Sequence, residues 1–345
     1  MAIATMTTAL PISFFPFLLL IPAICFTICH SNSNLLCIPS EREALLKFKN
    51  HLIDPSNRLS SWVEGGDCCK WVGVVCHNLT GHVHQLHLAA PLSPNEQSAL
   101  EGKINPSLLE LNHLSTLDLS NNNFSSIHIP KFFGNDLKSE SLQWVSGLSS
   151  LQYLDLSYAN LSKATDWLQV TFKHPSLLEL HLSACILEDD PYLISVNSSK
   201  SLAVLDLSWN NLSSVPKSIF SLHGLVSIDL RFISLDGPIP DYFGNISFLE
   251  VLDLHQNSLN SSIPNSLFSL NHLRFLHLSS NKIEQDISEI LQSLYRCCLG
   301  SLESLNMADN QLSGHLTYQL GQFKNLSYLL LILFESIVGV ERTRG

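Results

Sequence analysis

Three aromatic residues stand at the same place in three similar segments of the chain. Tyr158, Trp209 and Phe232 each lie two residues after the last leucine of a short leucine-rich stretch. If that position is exposed, the three rings share one surface, and exposed aromatic side chains are frequent anchors of protein interfaces. These residues therefore predict noncovalent recognition of another molecule. The alternative is that the rings only pack sideways along the molecule.

An aspartate separates the last two apolar residues in most of these stretches, and His181 and His277 replace it in two of them. Alternate side chains of a strand share a face, so these residues predict a row of acids on one surface. Like charges in such a row repel unless water, neighbouring side chains or a basic partner bridges them. The alternative is that adjacent hydroxyl groups satisfy the aspartates. With Arg231 and His255 beside the row, the candidate ligand-binding residues are Tyr153, Asp155, Tyr158, His181, Asp206, Trp209, Asp229, Arg231, Phe232, Asp253 and His255.

Catalytic and metal-binding motifs do not occur in the sequence. It contains no Gly-x-Ser-x-Gly, His-Glu-x-x-His, phosphate-loop or kinase pattern. On a strand, His82 and His84 would share one face while His87 takes the other, and no carboxylate completes a metal-binding set. The 19 basic and 30 acidic residues give a net charge of −11 without a basic cluster, which argues against nucleic acid or an anionic membrane as partner. We expect no enzyme activity, no cofactor and no metal.

A repeat positions the candidate residues. The spacing Leu202, Leu205, Leu207, Asn210 and Leu212 returns along the chain, mostly in steps of 23 to 29 residues, the period of leucine-rich repeats. A single copy cannot bury its leucines, so stability must come from stacking. The predicted fold is an α/β repeat, a right-handed leucine-rich-repeat solenoid shaped as a horseshoe or superhelix. Its repeats begin at Leu114, Leu151, Leu177, Leu202, Leu225, Leu249, Leu273, Leu302 and Leu326, with a degenerate copy at Val83.

The asparagine of the repeat should lie buried and pair with backbone groups at the corner that follows each strand. It is present as Asn122, Asn210, Asn257, Asn281 and Asn310. Other residues replace it at Ala159, Cys185, Ile233 and Phe334. Cysteine is an accepted substitute, so Cys185 is predicted to be a buried reduced thiol. Isoleucine cannot form these bonds, so a looser corner is expected at Ile233.

The first 30 residues carry no charge and are largely apolar, which predicts a secretory signal peptide. An uncleaved membrane anchor is the alternative, although Pro11, Pro16 and Pro22 disfavour a stable spanning helix. The Ser40–Glu43 segment has a capping-box pattern and predicts the start of a helix. We expect the signal at residues 1–30, an N-terminal cap at 31–80, about nine leucine-rich repeats at 81–325, and a degenerate, truncated repeat with a tail at 326–345.

Four cysteines crowd the predicted cap: Cys37, Cys68, Cys69 and Cys76. In a secreted chain they predict disulfides, and because adjacent cysteines rarely pair, either Cys37–Cys68 with Cys69–Cys76 or the crossed arrangement is open. A zinc site is the alternative, but no second Cys-x-x-Cys or histidine pair accompanies them. Cys297 and Cys298 lie in a long connection, where pairing with another chain is conceivable.

The cap resembles that of a known family. The runs Cys37–Lys49, Asp54–Trp62 and Asp67–Cys76 are similar to the N-terminal cap of plant leucine-rich-repeat receptor-like proteins. The resemblance implies the sequential disulfides Cys37–Cys68 and Cys69–Cys76, with Trp62 and Trp71 packed on the first turn of the solenoid. The segment from Trp144 to Leu187 is similar to the subgroup that perceives fungal elicitor proteins.

The resemblance also implies a function. The chain is expected to be the ligand-recognition ectodomain of a plant cell-surface receptor that perceives pathogens and signals through adaptor and co-receptor kinases. Relatives continue through further repeats and a membrane helix, so we expect a truncated product of the secretory pathway, destined for the plasma membrane or the apoplast. Its membrane contact would require the missing C-terminal segment or an uncleaved signal. The alternatives are a secreted inhibitor of a cell-wall hydrolase such as polygalacturonase, or a non-functional fragment.

Glycan acceptors are predicted from the Asn-x-Ser/Thr pattern. The eight sequons lie at Asn78, Asn123, Asn160, Asn197, Asn211, Asn245, Asn260 and Asn325. In a secreted chain, occupied sequons mark surface that stays free of tight contacts.

Overall fold

The computed structural model describes residues 36–91, 98–126, 141–189, 201–333 and 336–341. Outside these ranges lie the predicted signal peptide, the sequon at Asn197, and Phe334, which replaces the corner asparagine in the last repeat.

A twelve-stranded sheet runs through the described repeats. Ten of its strands are parallel and follow one another in chain order, and an antiparallel strand flanks each edge. Most of the repeat strands have three residues, of which the middle one is buried and the outer two are partly exposed. The strands are Val74–Cys76, Val83–His87, Thr116–Asp118, Tyr153–Asp155, Glu179–His181, Val204–Asp206, Ser227–Asp229, Val251–Asp253, Phe275–His277, Ser304–Asn306, Tyr328–Leu333 and Ser336–Glu341.

The buried leucines form one continuous core. The central strand residues, such as Leu154, Leu205 and Leu252, are fully buried and pair with their counterparts in neighbouring repeats. Because each repeat covers the leucines of the next, the apolar surface of every repeat is removed from water only by stacking. The predicted leucine-rich-repeat solenoid is therefore confirmed.

Helices and short strands cover the other side of the core. The α-helices are Pro39–Lys49, Trp167–Phe172 and Ile287–Cys298, and the 3₁₀ helices are Cys68–Lys70, Pro106–Glu110, Gln143–Gly147, Lys217–Ser221, Asp241–Asn245, Leu267–Ser269 and Tyr318–Gln322. Two further three-stranded sheets consist of Leu52–Ile53, Glu101–Lys103 and Asn123–Ser126, and of Asp236–Pro238, Ser258–Ser261 and Lys282–Ile283. The segments that leave the repeat strands thus pair with one another.

Buried asparagines hold the corners, as Asn210 shows. Its Nδ2 donates to the carbonyls of Leu182 and Leu207, each at 2.8 Å, and its Oδ1 accepts from the amides of Cys185 and Leu187 at 3.1 and 3.0 Å. One side chain therefore satisfies backbone groups of two successive repeats. Equivalent bonds are made by Asn122, Asn257, Asn281 and Asn310.

Three of the described corners lack this asparagine, at Ala159, Cys185 and Ile233. The Cys185 thiol donates to the Leu156 carbonyl at 3.1 Å, and its burial raises the pKa of this free thiol. Ile233 is fully buried, and Asn257 of the next repeat donates to the Leu230 carbonyl at 2.9 Å. This is the bond that each corner asparagine makes to the preceding repeat, and Ile233 has no acceptor equivalent to Asn210 Oδ1, so the looser corner at Ile233 stays a prediction.

The cap helix begins earlier than the capping-box pattern predicts. Pro39 occupies its first turn, Ile38 is the N-cap residue, and no side chain caps the helix, so the predicted capping box is wrong. Proline suits the first helical position because that position needs no amide donor. Glu41 instead lies buried and accepts from the Val83 amide at 2.7 Å, while its other oxygen lies 2.8 Å from His82 Nδ1. This carboxylate joins the cap to the first repeat strand.

Disulfides and tryptophans complete the cap. Disulfides join Cys37 to Cys68 and Cys69 to Cys76, the two pairs that the resemblance implied. Trp62 and Trp71 are buried and stack with their ring centroids 5.4 Å apart. They are therefore part of the cap core. The Arg58 guanidinium donates to the carbonyls of Leu88 and Ala89, which ties the cap to the first repeat.

The last two cysteines pair differently from the expectation, and the last predicted repeat is followed by one further strand. Cys297 and Cys298 end the α-helix Ile287–Cys298 and are bonded to each other, so neither has a thiol free to pair with another chain. Tyr328–Leu333, expected to be a degenerate repeat, continues the parallel sheet and pairs with the antiparallel strand Ser336–Glu341. Among the described residues, no helix has both the length and the apolar character needed to span a lipid bilayer.

Candidate recognition surface

The outer residues of the repeat strands line one side of the large sheet, here called the sheet face. Tyr153 lies beside Glu179, which lies beside Val204 on the next strand. Asp206 follows Val204 by two residues and shares its side of the strand. Tyr153 and Asp206 therefore lie on the same face, as the candidate set requires.

The aspartate row is built into the turns that follow the strands. Each of its carboxylates accepts a hydrogen bond from the backbone amide two residues further on, which is a standard way for aspartate to stabilise a turn. The expectation that hydroxyl groups satisfy the row holds at Asp118, where Ser120 Oγ donates at 2.8 Å. The backbone bonds are Ser120 to Asp118, Ser157 to Asp155, Ser208 to Asp206, Arg231 to Asp229 and His255 to Asp253, at 2.8 to 3.1 Å. One oxygen of each aspartate is thus committed to the fold.

Basic side chains of the protein itself bridge the later part of the row. Arg231 Nη2 lies 2.7 Å from Asp229 Oδ2, and Arg231 Nε lies 3.7 Å from Asp253 Oδ2. His277 Nδ1 approaches the same Asp253 oxygen at 3.2 Å. Burial raises the pKa of Asp229 despite the opposing effect of Arg231. Arg231, predicted as a ligand contact, therefore serves first to neutralise the row. His277 occupies the aspartate position of its repeat but was not among the candidate ligand-binding residues.

His181 links the earlier and later parts of the row. Its Nδ1 lies 3.9 Å from Asp206 Oδ2, and its Nε2 lies 3.8 Å from Glu179 Oε2. Burial alone would lower the pKa of His181, but the proximity of Asp206, Asp155 and Glu179 outweighs it and raises that pKa. Burial would raise the pKa of Asp206, but His181 and Ser208 lower it. Both shifts indicate mutual stabilisation of the charged forms.

The His181→Gln variant is expected to lose stability in a pH-dependent way. Because folding raises the pKa of His181, its stabilising contribution is fully present below the unfolded-state value near 6.5 and is lost as the pH rises through the folded-state value. We expect the variant to be less stable than the parent by roughly 0.5–1 kcal/mol at pH 5 and by clearly less at pH 9. Urea denaturation at both pH values measures the difference. An equal loss at both, or a greater loss at pH 9, would contradict the assignment.

The aromatic residues occupy turn positions with left-handed backbone geometry. Tyr158, Trp209 and Phe232 have φ of 67°, 59° and 54°, a region that bulky side chains rarely adopt. The rings of Trp209 and Phe232 are parallel within 11°, with centroids 3.8 Å apart, and the edge of His255 contacts Phe232 at 5.4 Å. Trp209 and Phe232 therefore do pack sideways, as the alternative states. Trp209 nevertheless remains 54% exposed, and Tyr158, two repeats before Trp209, is 55% exposed.

A cavity opens on the earlier part of the sheet face. Its volume is about 360 Å³, within the range of ordinary ligand sites. Tyr153 was selected from the sequence, whereas the other lining residues were not. Two of these, Asp118 and Glu179, occupy the same positions in their repeats as the selected residues Asp155 and Tyr153. Comparing each of these positions across every repeat could have found them. The lining residues are His87, Thr116, Asp118, Gln152, Tyr153, Leu178 and Glu179.

The sequons lie off the strands of the sheet face. Three of the acceptors come directly after the corner position that the buried asparagine of the repeat occupies: Asn123, Asn160 and Asn211. Asn260 belongs to the strand Ser258–Ser261 of a separate sheet and is partly buried. The exposed acceptors are Asn78, Asn123, Asn160, Asn211, Asn245 and Asn325.

Family models and curated relatives agree with this architecture. The model described as "Leucine rich repeat N-terminal domain" matches residues 38–77, and two leucine-rich-repeat models match residues 238–283 and residues 113–136 and 201–222. Receptor-like protein EIX1 of Solanum lycopersicum is 37% identical over 268 residues, covering 63% of this chain and 26% of the relative. Receptor-like protein EIX2 of the same plant is 34% identical over 274 residues, with the same coverage. This chain is a leucine-rich-repeat protein related to plant receptor-like proteins.

Solved structures extend the likeness of this leucine-rich-repeat protein to receptor ectodomains. The ectodomain of the Arabidopsis receptor kinase HAESA, in complex with a peptide hormone ligand, is 25% identical with a TM-score of 0.58, covering 85% of this chain and 53% of that one. A TDR receptor structure is 26% identical with a TM-score of 0.53, covering 77% of this chain and 45% of that one. The leucine-rich-repeat protein described here spans about a quarter of the length of the two curated relatives.

Proposed function

We propose that this leucine-rich-repeat protein recognises an extracellular protein or peptide through its sheet face, in pathogen or elicitor perception, and that partner kinases carry the signal. The curated relatives named above are receptor-like proteins, which favours a receptor over an inhibitor of a cell-wall hydrolase. The HAESA ectodomain, similar in fold, is in complex with a peptide hormone. Disulfides in the cap suit an oxidising compartment, so we place the protein in the secretory pathway and at the cell surface or in the apoplast.

The half-exposed Trp209 stacked on Phe232 carries the proposal. A partner that covers the ring gains a large apolar contact, and aromatic residues dominate the binding energy of protein interfaces. Phe232 already fixes the orientation of Trp209, so little side-chain freedom remains to be lost on binding. Both residues also adopt a left-handed backbone that costs about 1 kcal/mol each. The same geometry recurs at Asn121, Gln256 and Asp309, so the turn of the repeat imposes it and fixes where the two rings stand.

The surroundings of the pair favour a polar protein partner. Asp229, Arg231 and Asp253 form a charged network beside it, and polar groups around an aromatic anchor are typical of non-obligate interfaces. The predicted glycan acceptor nearest the pair in sequence, Asn211, is exposed and directly follows the buried corner residue Asn210.

Footprinting of a complex tests the proposal. A panel of purified secreted fungal proteins is screened for binding to the immobilised protein, and hydroxyl-radical oxidation is then compared with and without the binder. Trp209 oxidation is expected to fall several-fold. Tyr242 serves as an internal control, since it is 56% exposed in the 3₁₀ helix Asp241–Asn245, away from the strands. Protection of Tyr242 with unchanged Trp209 would contradict the proposal.

A further inference from the structure

The cavity on the sheet face is acidic and has an aromatic residue beside its acids. Tyr153 lies between Thr116 and Glu179 on neighbouring strands. Two residues further along the same strands, Asp118 lies beside Asp155. Burial raises the pKa of Tyr153, and the charges of these three acids raise it further. Tyr153 therefore lies close enough to all three carboxylates to be affected by their charge.

Elsewhere on the same face, the protein places an arginine between paired carboxylates. Arg274 reaches Glu250 with Nη1 and Glu303 with Nη2, each at 2.9 Å, and its guanidinium lies 5.4 Å from the centroid of the Phe275 ring. Arg231 likewise spans Asp229 and Asp253. A guanidinium group matches two carboxylates because its planar donors point in several directions, and it also stacks on aromatic rings.

The cavity has the carboxylates and the ring of this arrangement but lacks the arginine. None of its lining residues is arginine or lysine. Of the nearby histidines, His87 is hydrogen-bonded to Gln85 at 3.0 Å, and His181 is shared between Glu179 and Asp206. Among the described residues, no basic side chain pairs with Asp118, and Glu179 has only the shared His181 imidazole at 3.8 Å.

We infer that this cavity receives an arginine side chain of the recognised protein or peptide, with the guanidinium between Asp118 and Glu179 and against the ring of Tyr153. The inference rests on the proposed function and specifies the chemistry of its ligand. Charge complementarity selects a cationic segment, and the Arg274 arrangement on the same face selects arginine over lysine.

The same geometry gives a spacing for the ligand. The Tyr153 and Val204 strands are two steps apart in the sheet, which is about 10 Å. An extended peptide covers that distance in about three residues. Trp209 lies a further five residues along the chain from Val204, in the turn after the strand, so the ligand should carry its arginine more than three residues from the side chain that contacts Trp209.

A titration with a small probe tests the cavity without any partner protein. N-acetyl-arginine amide is added to the folded protein carrying methyl-labelled leucine and threonine, and the signals of Leu178 and Thr116, which line the cavity, are followed by NMR. We expect saturable shifts at both. N-acetyl-citrulline amide, which has a similar shape without the charge, should bind at least tenfold more weakly. Equal responses to the two probes, or no saturable shift, would overturn the inference.

Matched variants locate the probe. Asp118→Asn combined with Glu179→Gln should weaken arginine binding at least tenfold, and the amide oxygen that replaces the carboxylate at position 118 can still accept the turn bond from the Ser120 amide. Asp236→Asn combined with Glu284→Gln removes two exposed acids outside the sheet face and should leave the titration unchanged. If the second pair weakens the probe as much as the first, the arginine assignment is wrong. A failed titration with Trp209 still protected in the complex would overturn the arginine site and leave the proposed function intact.

Discussion

The Asn210→Leu variant is expected to lose about 4 kcal/mol or more of its unfolding free energy. Leucine fills a similar volume but leaves the amides of Cys185 and Leu187 without their acceptor, and the carbonyls of Leu182 and Leu207 without a donor. Each buried polar group left unpaired costs about 1–3 kcal/mol. The loss should reach the neighbouring repeats, because the stability of a solenoid depends on contacts between adjacent units.

Urea denaturation and hydrogen exchange measure the effect of this variant. The amides of Cys185 and Leu187 should exchange faster first, since they lose their acceptor directly. Ser214→Ala is the matched control: its side chain is exposed in the same repeat and lies outside the Asn211 sequon, so its effect should stay within about 0.5 kcal/mol. A loss below about 1 kcal/mol for Asn210→Leu would show that the buried asparagines are not a principal support of the corners.

Repetition explains why the sheet was predictable. Leu202, Leu205 and Leu207 have no stable environment except a neighbouring copy with the same spacing, so the sequence period and the structural period must coincide. The asparagine corners follow for the same reason. The start of the cap helix was predictable only approximately, because Pro39 and Ser40 offer competing start signals and the one that needs no amide donor prevails.

Interactions between repeats were less predictable than the repeats. The sequence indicates an acidic row but not that backbone amides hold one oxygen of each aspartate, since that depends on the turn geometry. Arg231 bridges to Asp253 of the next repeat, and a side chain's reach across strands cannot be read from a single copy. The cavity is similar: its lining residues run from His87 to Glu179 and come from four successive strands.

The last strands show the limit of pattern matching. Leu326, Leu329 and Leu331 keep the spacing of the repeat, and Leu329 and Leu331 are buried where the segment extends the sheet, so the consensus is lost only after them. Ser336–Glu341 then pairs with it in antiparallel orientation. A strand requires only backbone partners and one buried side, so the consensus can decay while the pairing persists.

The second prediction with a large expected effect is a loss of binding when the stacked rings of Trp209 and Phe232 are removed. Trp209→Asn combined with Phe232→Gln should weaken binding of the secreted fungal protein found in the screen by about 100-fold or more, since interface anchors often contribute 2 kcal/mol or more each. These replacements suit the turn because Asn121 and Gln256 adopt the same left-handed geometry, with φ of 59° and 55°. Glutamine is used at position 232 because asparagine there would create an Asn-Ile-Ser sequon. The backbone should therefore be retained while both rings are removed.

Affinity of the double variant, measured by biolayer interferometry beside the Tyr242→Asn control, is the most direct test that the sheet face is the recognition surface. The account predicts that the double variant loses binding while its secretion and circular dichroism match those of the parent, and that Tyr242→Asn binds normally. Unchanged affinity in the correctly folded double variant would contradict it.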